Sequence, residues 1–240
     1  NFTILMKELR EGLNTLDRQQ TISFASAGWK PYYKNIEVTE VMKYVDFINV
    51  MTYDQIGYTA PVTGHHTALG MIEEEDLEGT PAAEYLKKRK ESMAKRGRTY
   101  EPRSVERIVD YCIDIGINPE QIVIGAAFYG RAWKGVPPEN NGLYQSNKGS
   151  FIGWSAYNQI RKDFESDKNY KRYWDPKAKA PYLYNKTDSV FITYDDTVSV
   201  KLKTDYAIKK KLGGIMFWEL GNDTKEKNSL LKAIYDEASK

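Results

Sequence analysis

Val45-Asp46-Phe47-Ile48-Asn49-Val50-Met51, followed by Thr52 and ending at Tyr53-Asp54, is the stretch on which the fold turns. It is short, apolar and β-branched, and its polar and aromatic groups gather at the carboxyl end, which reads as a buried strand rather than a helix. Three other runs share the design. Thr21-Ile22-Ser23-Phe24-Ala25 ends at Ser26-Ala27-Gly28, Ile122 to Phe128 ends at Tyr129-Gly130-Arg131, and Gly214-Ile215-Met216-Phe217 ends at Trp218-Glu219. Helical patterns fill the gaps, over roughly 1–17, 36–44, 82–96, 104–116, 198–211 and 226–239. Strands alternating with helices predict βαβ units and a parallel sheet, an α/β fold. In such a fold the carboxyl ends of the strands carry the reactive groups.

Working outward, the amino-terminal helix has Phe2, Leu5, Met6, Leu9, Leu13 and Leu16 at helical spacing, so this face is expected to be covered. No strand precedes it, which reads as a piece of a longer protein, and the missing leader then says nothing about secretion. Ser104 with Glu106 is expected to open one helix, and Asp195 or Asp196 to cap the one near Val198. Residues 134–190 are too long for a simple crossover and carry turn residues, a helical stretch near Ser155–Phe164 and aromatic runs. They predict a small α+β subdomain inserted into a main domain of 1–133 and 191–240.

A formal net charge of +2 gives no global reason to expect nucleic acid or a membrane surface as partner. No run is apolar and long enough to span a bilayer. Lys87, Lys88, Arg89, Lys90, Lys95, Arg96 and Arg98 form a basic cluster whose plain account is a solvated helix face. Cys112 is the one cysteine and sits in an apolar helical pattern, so a buried thiol is expected. The 18 tyrosines and 5 tryptophans suit sugar faces, although by composition alone core packing is the stronger account of them. Adjacent His65 and His66 point different ways and lack a carboxylate at ligand spacing, so no metal is expected, nor any cofactor.

The four strand motifs, in this order and spacing, resemble the fifth to eighth strands of family 18 glycoside hydrolases, the chitinase family. Phe47 to Asp54 resembles the sixth-strand signature, Phe128-Tyr129-Gly130-Arg131 the seventh, and Leu212 to Glu219 the eighth, with Tyr194-Asp195-Asp196 returning from the insert. The resemblance implies a partial (β/α)8 TIM barrel with the inserted α+β subdomain, a substrate of chitin or chitooligosaccharide, and a secreted or cell-envelope location. It also implies substrate-assisted retaining catalysis, in which the sugar's N-acetyl oxygen attacks the anomeric carbon. The family's proton donor ends a D-x-x-D-x-D-x-E motif on the fourth strand, and no such motif occurs in these 240 residues.

By resemblance, Tyr53 would hydrogen-bond the acetamido oxygen, Asp54 would contact the distorted sugar, and Trp218 would floor the subsite. Met51, Tyr129 and Arg131 match cleft positions. Without the resemblance, Met51 and Trp218 read as core, and Arg131 reads equally as an ion-pair anchor for the insert. Glu219 is expected to hydrogen-bond rather than replace the acid. Other readings are a lectin-like relative that binds chitooligosaccharides without cleaving them, and a hydrolase of peptidoglycan or N-glycan cores. A half barrel would expose two strand edges, which favours self-association or pairing with the missing N-terminal half.

Overall fold

The computed structural model describes the backbone of residues 1–240 and all side chains except those of 152–154. Its strands are β1 (Ser23–Ala27), β2 (Phe47–Met51), β3 (Ile122–Ala127), β4 (Tyr129–Lys134), β5 (Ser150–Ala156), β6 (Lys171–Asp175), β7 (Ala180–Asn185), β8 (Val190–Thr193) and β9 (Gly214–Trp218). In the first sheet β1, β2, β3 and β9 lie side by side in that order, all parallel. The sheet is open, with β1 and β9 at its edges. The second sheet is antiparallel, in the order β5-β4-β8-β7-β6.

Alternation along the parallel strands sorts the side chains onto two faces. Ile48 and Val50 of β2 and Ile122 and Ile124 of β3 are fully buried against Met6, Val41, Ile108, Cys112 and Ala207 from the helical segments. Each such side chain contributes about 1.5–3 kcal/mol of burial free energy. Cys112 is fully buried, and burial pushes its thiol up to about 11. On the other face Ser23, Ala25, Phe47, Asn49, Met51, Met216 and Trp218 all retain solvent exposure.

Several elements differ from the sequence reading. β1 starts at Ser23 because the Ile22 N–H donates to the Asp46 carboxylate at 2.7 Å. The amino-terminal helix is Phe2–Leu13, and only part of its expected face is covered. Met6 is buried and Phe2 meets Phe24 edge-on at 5.2 Å, while Leu5 and Leu9 stay 47% and 44% exposed. Arg10 fixes this rotation by donating to the Tyr44 and Gln20 carbonyls at 3.0 and 2.9 Å and to Asp46 at 2.6 Å. The second sheet extends from 129 to 193, wider than the 134–190 expected for the insert, because β4 pairs along its length with β8 from Arg131↔Thr193 to Lys134↔Val190. Over Ser155–Phe164, the expected helix is a short one at Tyr157–Gln159 followed by a π-helical stretch at Ile160–Glu165.

Both expected helix starts carry side-chain caps. Ser104 Oγ accepts the Arg107 N–H at 3.1 Å. Of the two aspartates it is Asp196 that caps Thr197–Lys209, accepting the Val198 and Ser199 N–H groups at 2.9 Å each.

Candidate active site

The chain leaves β2 through Thr52, whose hydroxyl donates to the Gly125 carbonyl at 2.7 Å and accepts the Gly125 N–H at 2.9 Å. This clamps the carboxyl end of β2 to β3. Tyr53 then lies across Gly125, where a Cβ would stand 2.8 Å from the Tyr53 ring and 2.9 Å from the Met216 methyl group. Glycine is required there by space. Tyr53, Met216 and the gap between them therefore share the open face. Trp218, two residues beyond Met216 on the same side of β9 and in register with Ala127, is 55% exposed there. Met51 is half-buried on the same face of β2.

Asp54 has a left-handed backbone (φ 54°). Its Oδ1 accepts both Nε and Nη2 of Arg131, at 2.9 and 2.7 Å. Arg131 also stands over the rings of Tyr129 and Tyr58, at 5.3 and 5.6 Å. The Tyr129 ring meets Tyr53 edge-on at 5.9 Å. Tyr53, Asp54, Tyr129 and Arg131 thus form one contiguous group at the carboxyl ends of β2 and β3, with Trp218 ending the neighbouring strand.

The electrostatics follow from the packing. Burial works to raise the Asp54 pKa, but His66 and Arg131 outweigh it and lower the value from 3.8 to about 2. Burial first, and then the Asp54 charge, pushes the Tyr53 phenol up to about 12 and Tyr129 higher still. At neutral pH the group presents one fixed carboxylate beside neutral phenolic hydroxyls, each able to donate a hydrogen bond.

His66 is the residue that sequence reasoning missed. It is fully buried, its Nε2 stands 3.1 Å from the Tyr129 carbonyl, and its Nδ1 stands 3.7 Å from Asp54 Oδ1, too far for a hydrogen bond. A carbonyl only accepts, so Nε2 carries the hydrogen. Burial lowers the His66 pKa. Arg131, charged at all working pH values, is therefore the cation that holds Asp54 at neutrality. His65 turns the other way, to Asp175 of β6 at 3.1 Å. Among the described residues no cluster of histidine, cysteine or carboxylate side chains could hold a metal ion.

The loop bearing both histidines is held by Gln55, whose side chain donates to the Thr52 and Ala68 carbonyls and accepts the Ala68 N–H. Below it, Lys203 and Asp195 form a fully buried ion pair at 2.6 Å. Lys203 also donates to Thr67 at 2.6 Å, and Asp195 accepts the Ala127 N–H at 3.0 Å and the Ser199 hydroxyl at 2.7 Å. Asp195 was legible only as a possible helix cap; its role as a tie between loop, β3 and helix needs the third dimension. Glu219 departs from its expected role: the side chain is exposed and makes no hydrogen bond among the described residues, while its carbonyl accepts the Asn222 N–H.

A parallel sheet with acidic, phenolic and indole side chains gathered at its carboxyl ends is the layout of an α/β enzyme site. Residues 1–223 match the model of glycosyl hydrolases family 18, and the chain belongs to that family. It is 33% identical over 233 residues to chitinase A1 of Niallia circulans, covering 93% of this chain and 31% of that protein. Chitinase B of Serratia marcescens is 30% identical over 261 residues, covering 94% and 50%. A solved family 18 N-acetylglucosaminidase from Paenibacillus barengoltzii is similar at 35% identity and a TM-score of 0.80, over 98% of this chain and 62% of that one. The chain spans between 31% and 62% of the length of these relatives.

Proposed function

We propose that this chain forms the substrate-holding wall of a chitinase that cleaves β-1,4 bonds in chitin or N-acetylglucosamine oligomers by substrate-assisted retaining catalysis. The observation that carries the reading is the contact group Tyr53–Asp54–Tyr129–Arg131 beside the exposed indole of Trp218. In this reading β1, β2, β3 and β9 are the fifth to eighth strands of a (β/α)8 barrel, and residues 134–190 are an α+β insert beside the cleft.

Each side chain then has a task. The neutral Tyr53 hydroxyl donates to the acetamido oxygen and aims it at the anomeric carbon. Asp54, kept ionised and oriented by Arg131, faces the positive charge that develops as the oxazolinium ion forms. The Trp218 indole offers a flat apolar platform to the sugar's C–H face. Met51 and Tyr129 shape the floor around them. Protonation of the leaving oxygen needs an acid that the D-x-x-D-x-D-x-E motif would supply, and these 240 residues do not contain it. Glu219 is no substitute, since its exposed side chain makes no hydrogen bond to the other groups among the described residues.

The chain alone should therefore bind chitooligosaccharides without cleaving them. Calorimetric titration with chitotetraose tests the binding, with Trp218→Ala expected to weaken affinity about tenfold, equivalent to about 1.4 kcal/mol. A fluorogenic chitobioside tests the chemistry. Turnover by this chain would contradict the assignment of the proton donor, and undiminished binding by Trp218→Ala would contradict the platform.

A further inference from the structure

At the carboxyl end of β1, next to the sugar face, lies a cavity of about 170 Å³. Gly28 forms part of its wall, and a Cβ on Gly28 would stand 2.5 Å from the Met51 carbonyl oxygen and 3.3 Å from the Thr52 Cα. The cavity therefore backs directly onto the segment that leads into Tyr53 and Asp54. Five cations line it, Lys30, Arg89, Arg98, Arg103 and Arg107, against the single carboxylate of Glu101.

The internal pairing does not neutralise them. Glu101 takes Lys30 at 2.9 Å and lies 3.8 Å from Arg107, which also meets Glu73 at 2.8 Å. Arg89, Arg98 and Arg103 have no carboxylate partner among the described residues. Arg103 lies over the Trp29 ring at 4.4 Å and Arg89 over Tyr100 at 5.1 Å. Burial first, and then the like charge of Arg89, work against the charge on Arg103. A half-buried guanidinium over an indole with no counter-ion is a group that a ligand's anion would satisfy, and its planar fork suits two oxygens at once. The sequence explains Arg89 and Arg98 as a solvated helix face. Both are exposed, as that account expects, and they line the cavity together with Lys30 and Arg103 from other segments. Neutral N-acetylglucosamine would use none of this charge.

We propose that this cavity is a subsite for an oxyanion, a carboxylate or a phosphate ester, carried by the glycan that lies on the open face. The substrate class is then an acidic polymer of N-acetylated amino sugars rather than neutral chitin alone. This rests on the reading of the open face as a sugar site, and the two are separable by experiment. The 240-residue chain is titrated at ~0.05 M salt with chitotetraose, with its carboxymethyl ether and with its 6-phosphate. At least one acidic form should bind about tenfold more tightly than the neutral one. Which of the two does so identifies the anion. The preference should fall below about threefold at ~0.5 M salt, where screening is strong. It should fall likewise in Arg98→Gln/Arg103→Gln, a variant expected to keep its affinity for neutral chitotetraose.

Equal binding of neutral and acidic ligands would overturn the anion subsite and leave the sugar site standing. A preference that survives the double substitution would place the anion elsewhere and overturn it too. If no ligand binds, both readings fall.

Discussion

The same two strands build two different surfaces. Ile48, Val50, Ile122 and Ile124 point to the helices and are fully buried, whereas Phe47, Asn49 and Met51, their neighbours along β2, point to the open face and keep contact with water. The covered face is uniformly aliphatic. The open face mixes an amide, thioethers, a phenol and an indole, and at its upper rim a carboxylate held by an arginine. The difference is a division of labour between alternate residues: the covered face carries the stability, and the open face is free to carry recognition.

Substitutions should separate the two faces, and the largest loss is expected at the seam that joins them. Asp195→Ala would leave Lys203 fully buried without its partner, which costs about 3–5 kcal/mol when a buried pair is broken. Urea denaturation of the variant measures it. A loss no larger than for an exposed ion pair would mean the seam is not held by this contact.

Next comes a matched pair. Ile124→Ala on the covered face should cost about 2–5 kcal/mol through lost burial and the cavity left behind. Met51→Ala on the open face should cost well under half as much, while chitotetraose affinity falls. Equal losses of stability in the two variants would erase the distinction between the faces.

A smaller effect is expected from pH. Burial lowers the His66 pKa in the folded chain, so the unfolded chain takes up the proton first, near its ordinary value of about 6.5. As pH falls below about 6.5, stability should decline until the folded pKa is reached, by up to about 1.4 kcal/mol per pH unit. Above that range this histidine contributes no slope. Thermal unfolding from pH 7 to pH 5 should show the decline in the wild-type chain and a flatter profile in His66→Gln. Parallel profiles would assign the pH dependence to other groups.

How far the sequence carried these conclusions depended on the range of the interactions involved. The strands of the parallel sheet were readable because each is a short apolar run with its own punctuation, and their partners follow in chain order. Tyr53, Asp54, Tyr129, Arg131 and Trp218 were readable because they terminate those runs. The reach of β4 was not, since Tyr129 to Trp133 reads equally as the tail of the preceding strand until β8 is seen beside it. The exposed side of the first helix was hidden for a similar reason: Arg10, not the leucine spacing, sets its rotation. His66 and Lys203 lay beyond reach. His66 meets the Tyr129 carbonyl, 63 residues away, and Lys203 meets Asp195 on the segment before its helix, and nothing in the local pattern marks either contact.

The central claim is that the open face of the parallel sheet is where the amino sugar sits, and amide and indole NMR of the labelled chain during titration with chitotetraose tests it most directly. Resonances of Met51, Tyr53, Tyr129, Met216 and the Trp218 indole should shift together and saturably, while those of Ile48 and Ile124 stay in place. Shifts confined to the helical side, or a spectrum unchanged at saturating sugar, would contradict it.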